Sequence, residues 1–141
     1  MMNENYKIIT KFIKDMSSET ADTETYLFVK ENISKYQLGI NINSKPLKNK
    51  IIEINTNLKF EDKDDNKMKS FFEISYITII KVNEQIKEKN ILQKIVLCDV
   101  QKDIYKDVEK SMLNLLHNSG YPAINFEKKI DFDELYQKNF N

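Results

Sequence analysis

The sequence predicts an α+β fold in which a four-stranded antiparallel sheet packs against one long and one short helix. Apolar and polar residues alternate over 36–42 and again over 52–60, the period of half-buried strands. From Ile91 to about Asn118 apolar residues instead recur every fourth position, the period of an amphipathic helix. The two patterns are segregated, strands up to about Val82 and helices beyond it, which favours α+β over alternating α/β order. At 141 residues the chain has the length of a single domain, 1–141.

The first strand is read in Tyr6 to Ile13, less regular than the others but carrying Ile8, Ile9, Phe12 and Ile13. Asp15 to Ser34 then forms a long connection with Tyr26, Leu27 and Phe28 and no strong periodicity, the mark of a functional or mobile segment. In the hairpin that follows, Tyr36, Leu38, Ile40 and Ile42 face one way, as do Ile52, Ile54, Thr56, Leu58 and Phe60. Asn43-Ser44-Lys45-Pro46 marks the turn between them. Glu61 to Lys69 is too charged to pack and reads as a solvated loop. Phe71 to Val82 is apolar on both faces, with Phe72, Ile74, Tyr76, Ile80 and Val82 opposite Phe71, Ile77 and Ile79. Such a strand needs two covers, one from the chain's own helix and one expected from another subunit.

In the long helix Leu92, Val96, Val100, Ile104, Val108 and Met112 form the stripe, widened by Ile95, Leu115 and Leu116. Asn90 and Gln93 resemble a capping box at its start. Asp99–Lys102, Asp103–Lys106 and Asp107–Lys110 are spaced to pair on its polar side, each worth about 0.2–0.5 kcal/mol. Ser119-Gly120-Tyr121-Pro122 stops it. A short helix begins at Asp131, with Glu134 in the reciprocal capping position and Phe132, Leu135 and Tyr136 on one face, and runs to about residue 140.

Composition narrows the function. Twenty-two basic residues balance twenty-two acidic ones, so no global field draws the chain to nucleic acid or an anionic membrane. Every basic residue except the single histidine is lysine, so no arginine fork is available for phosphate. Two distant glycines, Gly39 and Gly120, cannot build a phosphate-cradling loop. No membrane-spanning run or secretory leader is read, and one cysteine, Cys98, forms no internal disulfide; both point to the cytoplasm.

Catalytic and metal-binding constellations are equally sparse. A triad or a zinc site would have to be built around the single histidine, His117, which reads as a surface residue near a helix end. Cys98 falls beside the apolar stripe and reads as an inert buried thiol. Glu61, Asp62, Asp64 and Asp65 imitate a calcium loop but lack its glycine and terminal glutamate, and Lys63 and Lys67 interrupt them. No catalytic residue, cofactor or metal is expected. The two-faced strand and the aromatic connection point to protein–protein contact.

Two motifs carry a family resemblance. Lys14-Asp15-Met16-Ser17-Ser18-Glu19, placed directly after the first strand, resembles the K-D-[aliphatic]-S-x-E segment of the SecB export chaperones. Asn118-Ser119-Gly120-Tyr121-Pro122-Ala123-Ile124-Asn125-Phe126, followed by Ile130-Asp131-Phe132-Asp133-Glu134-Leu135-Tyr136, resembles that family's helix end, short apolar link and final helix. The resemblance spans about residues 6–140. It implies a SecB-like fold assembled as a homotetramer, a dimer of dimers, that holds unfolded precursor proteins without ATP and passes them to the SecA motor.

Carried over by position, the resemblance implies SecA contacts at Asp15 and Glu19 and at Phe71 and Glu73. It implies subunit-interface positions at Phe72, Ile74 and Tyr76, and client contacts at Tyr26 and Phe28. Period 2 sets Phe71 and Glu73 opposite to Phe72, Ile74 and Tyr76. The sequence departs from the family in its neutral charge, in Ser18, in Ile77-Thr78-Ile79-Ile80, and in the loss of two prolines at Cys98-Asp99 and within Asp103 to Asp107, a loss expected to leave the long helix straighter than the family's. The alternatives are a SecB-like chaperone dedicated to one partner such as an antitoxin, and a small-molecule-binding or catalytic α+β pocket.

Overall fold

Two alternating runs, one run apolar on both faces and one irregular run build the sheet. The computed structural model describes residues 5–64, 68–126 and 130–138. Its strands are β1 (Tyr6–Glu19), β2 (Gln37–Pro46), β3 (Ile51–Glu61) and β4 (Phe71–Val82), antiparallel in the order β1-β4-β3-β2. Its helices are α1 (Thr23–Glu31), α2 (Lys89–Lys94), α3 (Val100–Asn118) and α4 (Phe132–Lys138). The π-helical turn Ile95–Asp99 joins α2 to α3, so the two continue as one long helix.

One face of the sheet carries the core. Ile54, Leu58, Ile74 and Ile80 are fully buried there against Ile95, Val100, Ile104, Val108, Met112 and Leu116 of the long helix. The helical stripe and the strand faces read from periodicity are therefore the surfaces that pack.

β1 is longer than its pattern predicts because two register shifts interrupt it, between Ile8 and Thr10 and between Ile13 and Asp15. Each extra residue flips the alternation, so Tyr6, Ile8, Lys11, Ile13, Met16 and Ser18 share the helix-facing side through their partners on β4. The Lys14 to Glu19 segment is consequently part of the first strand and does not follow it. The rest of the supposed connection holds α1, whose start is fixed by the Asp22 carboxylate accepting the Thr25 N–H at 2.8 Å.

The hairpin turn also moves. β2 continues through Asn43 to Pro46, paired residue by residue with β3, and the chain reverses at Leu47 to Lys50, where Asn49 and Lys50 adopt positive φ. The ladder hydrogen bonds outweigh the turn propensity of Asn43 and Ser44. Within the loop after β3, Asp62 is buried and accepts the Asp64 N–H at 2.9 Å, so this end of the loop is structured; Asp65 and Lys67 lie outside the described residues.

The long helix starts at Lys89, so Asn90 lies inside it and caps nothing; its carbonyl instead accepts the Tyr136 hydroxyl at 3.3 Å. Nor is it an uninterrupted α-helix. The π turn lets Ile95, Val96, Cys98, Val100 and Gln101 all turn inward, more than one α-helical stripe allows. Gln101, fully buried, donates to the Val96 carbonyl at 3.3 Å and accepts the Thr56 hydroxyl at 3.1 Å, anchoring the turn to β3.

The expected i,i+3 ion pairs give way to longer-range partners. Asp103 accepts the Tyr6 hydroxyl, Asp107 pairs with Lys11 at 2.7 Å, and Lys102 pairs with Asp133 at 2.9 Å. Partners on other elements are held in place by the fold, so each carboxylate is met with less loss of side-chain freedom. At the helix end the Tyr121 N–H reaches the Leu116 carbonyl and the Gly120 N–H that of His117, a Schellman motif with Gly120 at φ 105°. The Asp131 carboxylate caps α4 through the Glu134 N–H at 3.1 Å, as its spacing predicts, while Glu134 itself pairs with Lys138. Residues 139–140 of the expected helix lie outside the described residues.

Candidate functional site

A groove of about 940 Å³ opens beside β2, at the edge of the sheet. Ile33, Leu38, Phe60, Ile124, Phe126 and Ile130 supply its apolar surface, and Lys30, Asp131 and Glu134 also line it. Its walls follow from local structure. The Schellman turn sends residues 121–126 away from α3 and across the end of the sheet, where the Phe126 ring stands 5.6 Å from that of Phe60. On the opposite side the 3-10 turn Ile33–Lys35 brings Ile33 and Tyr36 to the strand edge. Because β2 is an edge strand, Leu38 is only half-buried.

The floor is an aromatic cluster. Tyr36 lies 5.5 Å from Phe60 and 6.4 Å from Phe72, and Phe72 stands edge-on to Tyr121 at 5.7 Å. The Tyr36 hydroxyl accepts the Ser70 N–H at 3.0 Å, and burial raises its phenol pKa, keeping it neutral. Apolar surface with a polar rim can take up apolar side chains of many shapes, and the aromatic floor offers no charge to select among them.

Tyr26 stands behind this wall. Its hydroxyl donates to the Gly120 carbonyl at 2.8 Å and its ring lies 5.4 Å from Tyr121. Neither Tyr26 nor Phe28, the expected client contacts, is a lining residue of the groove. α1 turns Tyr26 onto the core and leaves Leu27 exposed. The sequence signal for the true lining was the aperiodic apolar link Ile124, Phe126 and Ile130 after a helix stop. Leu38 and Phe60 carried no separate signal, because they alternate like any core-facing strand residues.

The face of the sheet away from the helices brings the four expected SecA contacts together. Glu19 is the register partner of Phe71, Ser17 that of Glu73, and Asp15 that of Ser75, so all four point the same way from adjacent strands. Phe71 is 53% exposed. The Glu73 carboxylate accepts the Asn57 side-chain amide at 2.8 Å and lies 4.0 Å from the Lys59 ammonium. On the same face Ile77 is buried between its register partners Phe12 and Asn55, so neighbouring strands supply part of the second cover expected from another subunit.

Phe72, Ile74 and Tyr76, the expected subunit-interface positions, are 2%, 0% and 7% exposed, within the core beneath the chain's own helix. The same alternation that separates them from Phe71 and Glu73 turns them inward. Apolar surface is free instead on β1, where Ile9, Phe12, Ile13 and Met16 are 42–50% exposed along an edge strand.

Cys98 is fully buried, as its position predicts. Its thiol donates to the Asp133 carboxylate at 3.1 Å, and burial, reinforced by that carboxylate, pushes its pKa up to about 11. His117 is exposed, with Nε2 3.1 Å from the Ile124 carbonyl. No helix among the described residues is long and apolar enough to cross a membrane.

Residues 2–141 match the family described as preprotein translocase subunit SecB. Over 140 residues the chain is 59% identical to a protein of Pelagibacter ubique (strain HTCC1062) provisionally named protein-export protein SecB, covering 99% of this chain and 100% of that one. It is 23% identical over 133 residues to protein-export protein SecB of Bartonella bacilliformis, covering 94% of this chain and 82% of that one. A solved SecB-like chaperone of Mycobacterium tuberculosis, in complex with a ChAD peptide from the HigA1 antitoxin, superposes with a TM-score of 0.63. The superposition covers 89% of this chain and 91% of that one at 7% identity, a likeness of fold alone.

Proposed function

The chain belongs to the SecB family of protein-export chaperones, and from that membership we propose that it works in the cytosol as a holdase, keeping precursor proteins unfolded until they reach the SecA motor. The groove beside β2 carries this reading. It is open, apolar and lined by side chains from separate elements, the chemistry needed to take up apolar stretches without reading a sequence. Binding the unfolded chain lowers its free concentration, which slows folding and aggregation by mass action. No covalent step is required of any residue.

The sheet face bearing Asp15, Glu19, Phe71 and Glu73 is the surface proposed to meet SecA. An exposed aromatic sharing its sheet face with three carboxylates suits a basic partner segment with an apolar contact. The chain is further proposed to assemble as a homotetramer, a dimer of dimers, with the exposed apolar residues of β1 among those buried between subunits.

Native mass measured by light scattering, alone and with a permanently unfolded polypeptide, tests the reading. A mass near four subunits that rises with the polypeptide supports it. A monomer that leaves the polypeptide unbound would overturn both the assembly and the general holdase role. A tetramer that ignores it would point to a chaperone reserved for one partner.

A further inference from the structure

Glu73 is held differently from the two carboxylates that share its sheet face. Asp15 and Glu19 are exposed and make no hydrogen bond or ion pair with any described residue, so both oxygens of each are free. Glu73 sits between them. Its own register partners are Ser17 on β1 and Lys59 on β3, which makes Asp15 and Glu19 its diagonal neighbours across β1, about 7–8 Å away at antiparallel spacing.

Unlike those two, Glu73 is anchored. Asn57, half-buried on β3, donates from Nδ2 to Glu73 Oε2 at 2.8 Å and to Ser75 Oγ at 3.0 Å, so both of its amide hydrogens are committed. The Lys59 ammonium stands 4.0 Å from the same Glu73 oxygen. Two groups of the chain's own therefore crowd Oε2, while Oε1 has no partner among the described residues.

This asymmetry decides which cation the carboxylate accepts. A guanidinium grips a carboxylate through two parallel N–H bonds, one to each oxygen, whereas an ammonium needs a single acceptor. With Oε2 engaged, an arginine has to displace the Asn57 amide or share its oxygen beside the Lys59 charge. A lysine meets Oε1 and disturbs neither.

We propose that Asn57 is a positioning residue for the partner at this face, tuning Glu73 to accept lysine in preference to arginine, while Asp15 and Glu19 accept either. The proposal rests on the SecA reading of the face and adds the chemistry of the docking segment. That segment carries a lysine within reach of Glu73, beside the apolar side chain that covers Phe71, two positions away on the same side of β4 and so about 7 Å distant.

Two Ser/Gly peptides test this on the intact protein at low salt, each with one leucine and three cations, all lysine in one and all arginine in the other. The loss of affinity on Glu73→Gln isolates what Glu73 gives each peptide. In the otherwise wild-type protein the lysine peptide should lose about two- to fivefold, the worth of one exposed ion pair, and the arginine peptide less. In Asn57→Ala, with both Glu73 oxygens free, the order should reverse. Comparing two peptides on one variant cancels any change in folded fraction, and a purely structural role for Asn57 would weaken both peptides alike. The same order of losses with and without Asn57, or a Glu73 that serves arginine as well as lysine in the presence of Asn57, would overturn the proposal even where Asp15→Lys with Glu73→Lys abolishes SecA binding. SecA that binds this double variant as tightly as the wild type would overturn the SecA reading and the proposal with it.

Discussion

Gly120 sits so close to the ring of Tyr26 that a Cβ added to it would lie 2.6 Å from Tyr26 Cε1 and 2.8 Å from the hydroxyl that hydrogen-bonds its own carbonyl. Its φ of 105° is a second reason for glycine. Gly120→Ala is expected to cost about 1–3 kcal/mol from backbone strain, with the clash adding to it. Denaturant titration measures the loss, and Tyr26→Ala in the same chain should recover the clash but not the strain. Wild-type stability in the single variant would show that the turn can relax, leaving the groove wall less fixed than its geometry indicates.

Gln101 ties the π turn to the sheet through Thr56 and the Val96 carbonyl. Gln101→Met keeps the volume but strands the buried Thr56 hydroxyl, a loss of about 1–3 kcal/mol. Adding Thr56→Val removes the stranded group and should restore much of that. A double variant no more stable than the single one would mean that the hydrogen bond does not set the energetics of the turn.

Cys98 gives the protein an alkaline limit. Its thiol titrates at about 11 in the folded chain against an ordinary value of 9.0. The folded state thus keeps a proton that the unfolded chain gives up above pH 9. The stabilising contribution is complete below that pH and falls as pH rises through 11, by an amount on the order of 2 kcal/mol. Buried tyrosines with raised pKa values act in the same direction from pH 10 upward, so the comparison is between wild type and Cys98→Ala. The variant should show a shallower decline in stability between pH 9 and 10. Parallel curves would exclude the thiol as the source.

Replacing Asp15 and Glu73 by lysine reverses two of the three carboxylates that share a sheet face with Phe71. SecA affinity should fall about tenfold or more at low salt, with a weaker salt dependence, because both residues lie at a solvated surface where charge governs encounter. Binding of an unfolded polypeptide should be unchanged. Equal loss of both activities would remove this face from its proposed role.

Legibility of the fold followed periodicity. The stripe Val100, Ile104, Val108, Met112 and the alternation over β3 were readable because burial on one side imposes a period that no other arrangement explains. β1 was half-readable: each bulge resets the alternation, so the run looked irregular and ended too soon, and the Asp15 to Glu19 motif seemed to lie outside the strand that carries it. α1 was missed because its short apolar run Tyr26-Leu27-Phe28 has no helical spacing. Of the candidate site, period 2 set Phe71 and Glu73 on one face of β4, whereas Asp15 and Glu19 were joined to them only by the family resemblance, and their placement on that face needed the register of β1. The groove was not, since Leu38, Phe60, Ile124 and Phe126 come from three separated segments.

The sequence by itself determined the α+β class, the face of each regular strand, the glycine stop of the long helix and the Asp131 cap, all of which depend on residues within a few positions of one another. It also carried the family resemblance, in motifs at the two ends of the chain. Only the tertiary structure decided that Phe72, Ile74 and Tyr76 are core, that Lys11, Lys102 and Tyr6 take the helix carboxylates, and which edge of the sheet is left open. Alternation says that two sets of side chains point in opposite directions. Which set meets the helix and which meets water depends on where the helix docks, and that is settled by contacts between residues tens of positions apart.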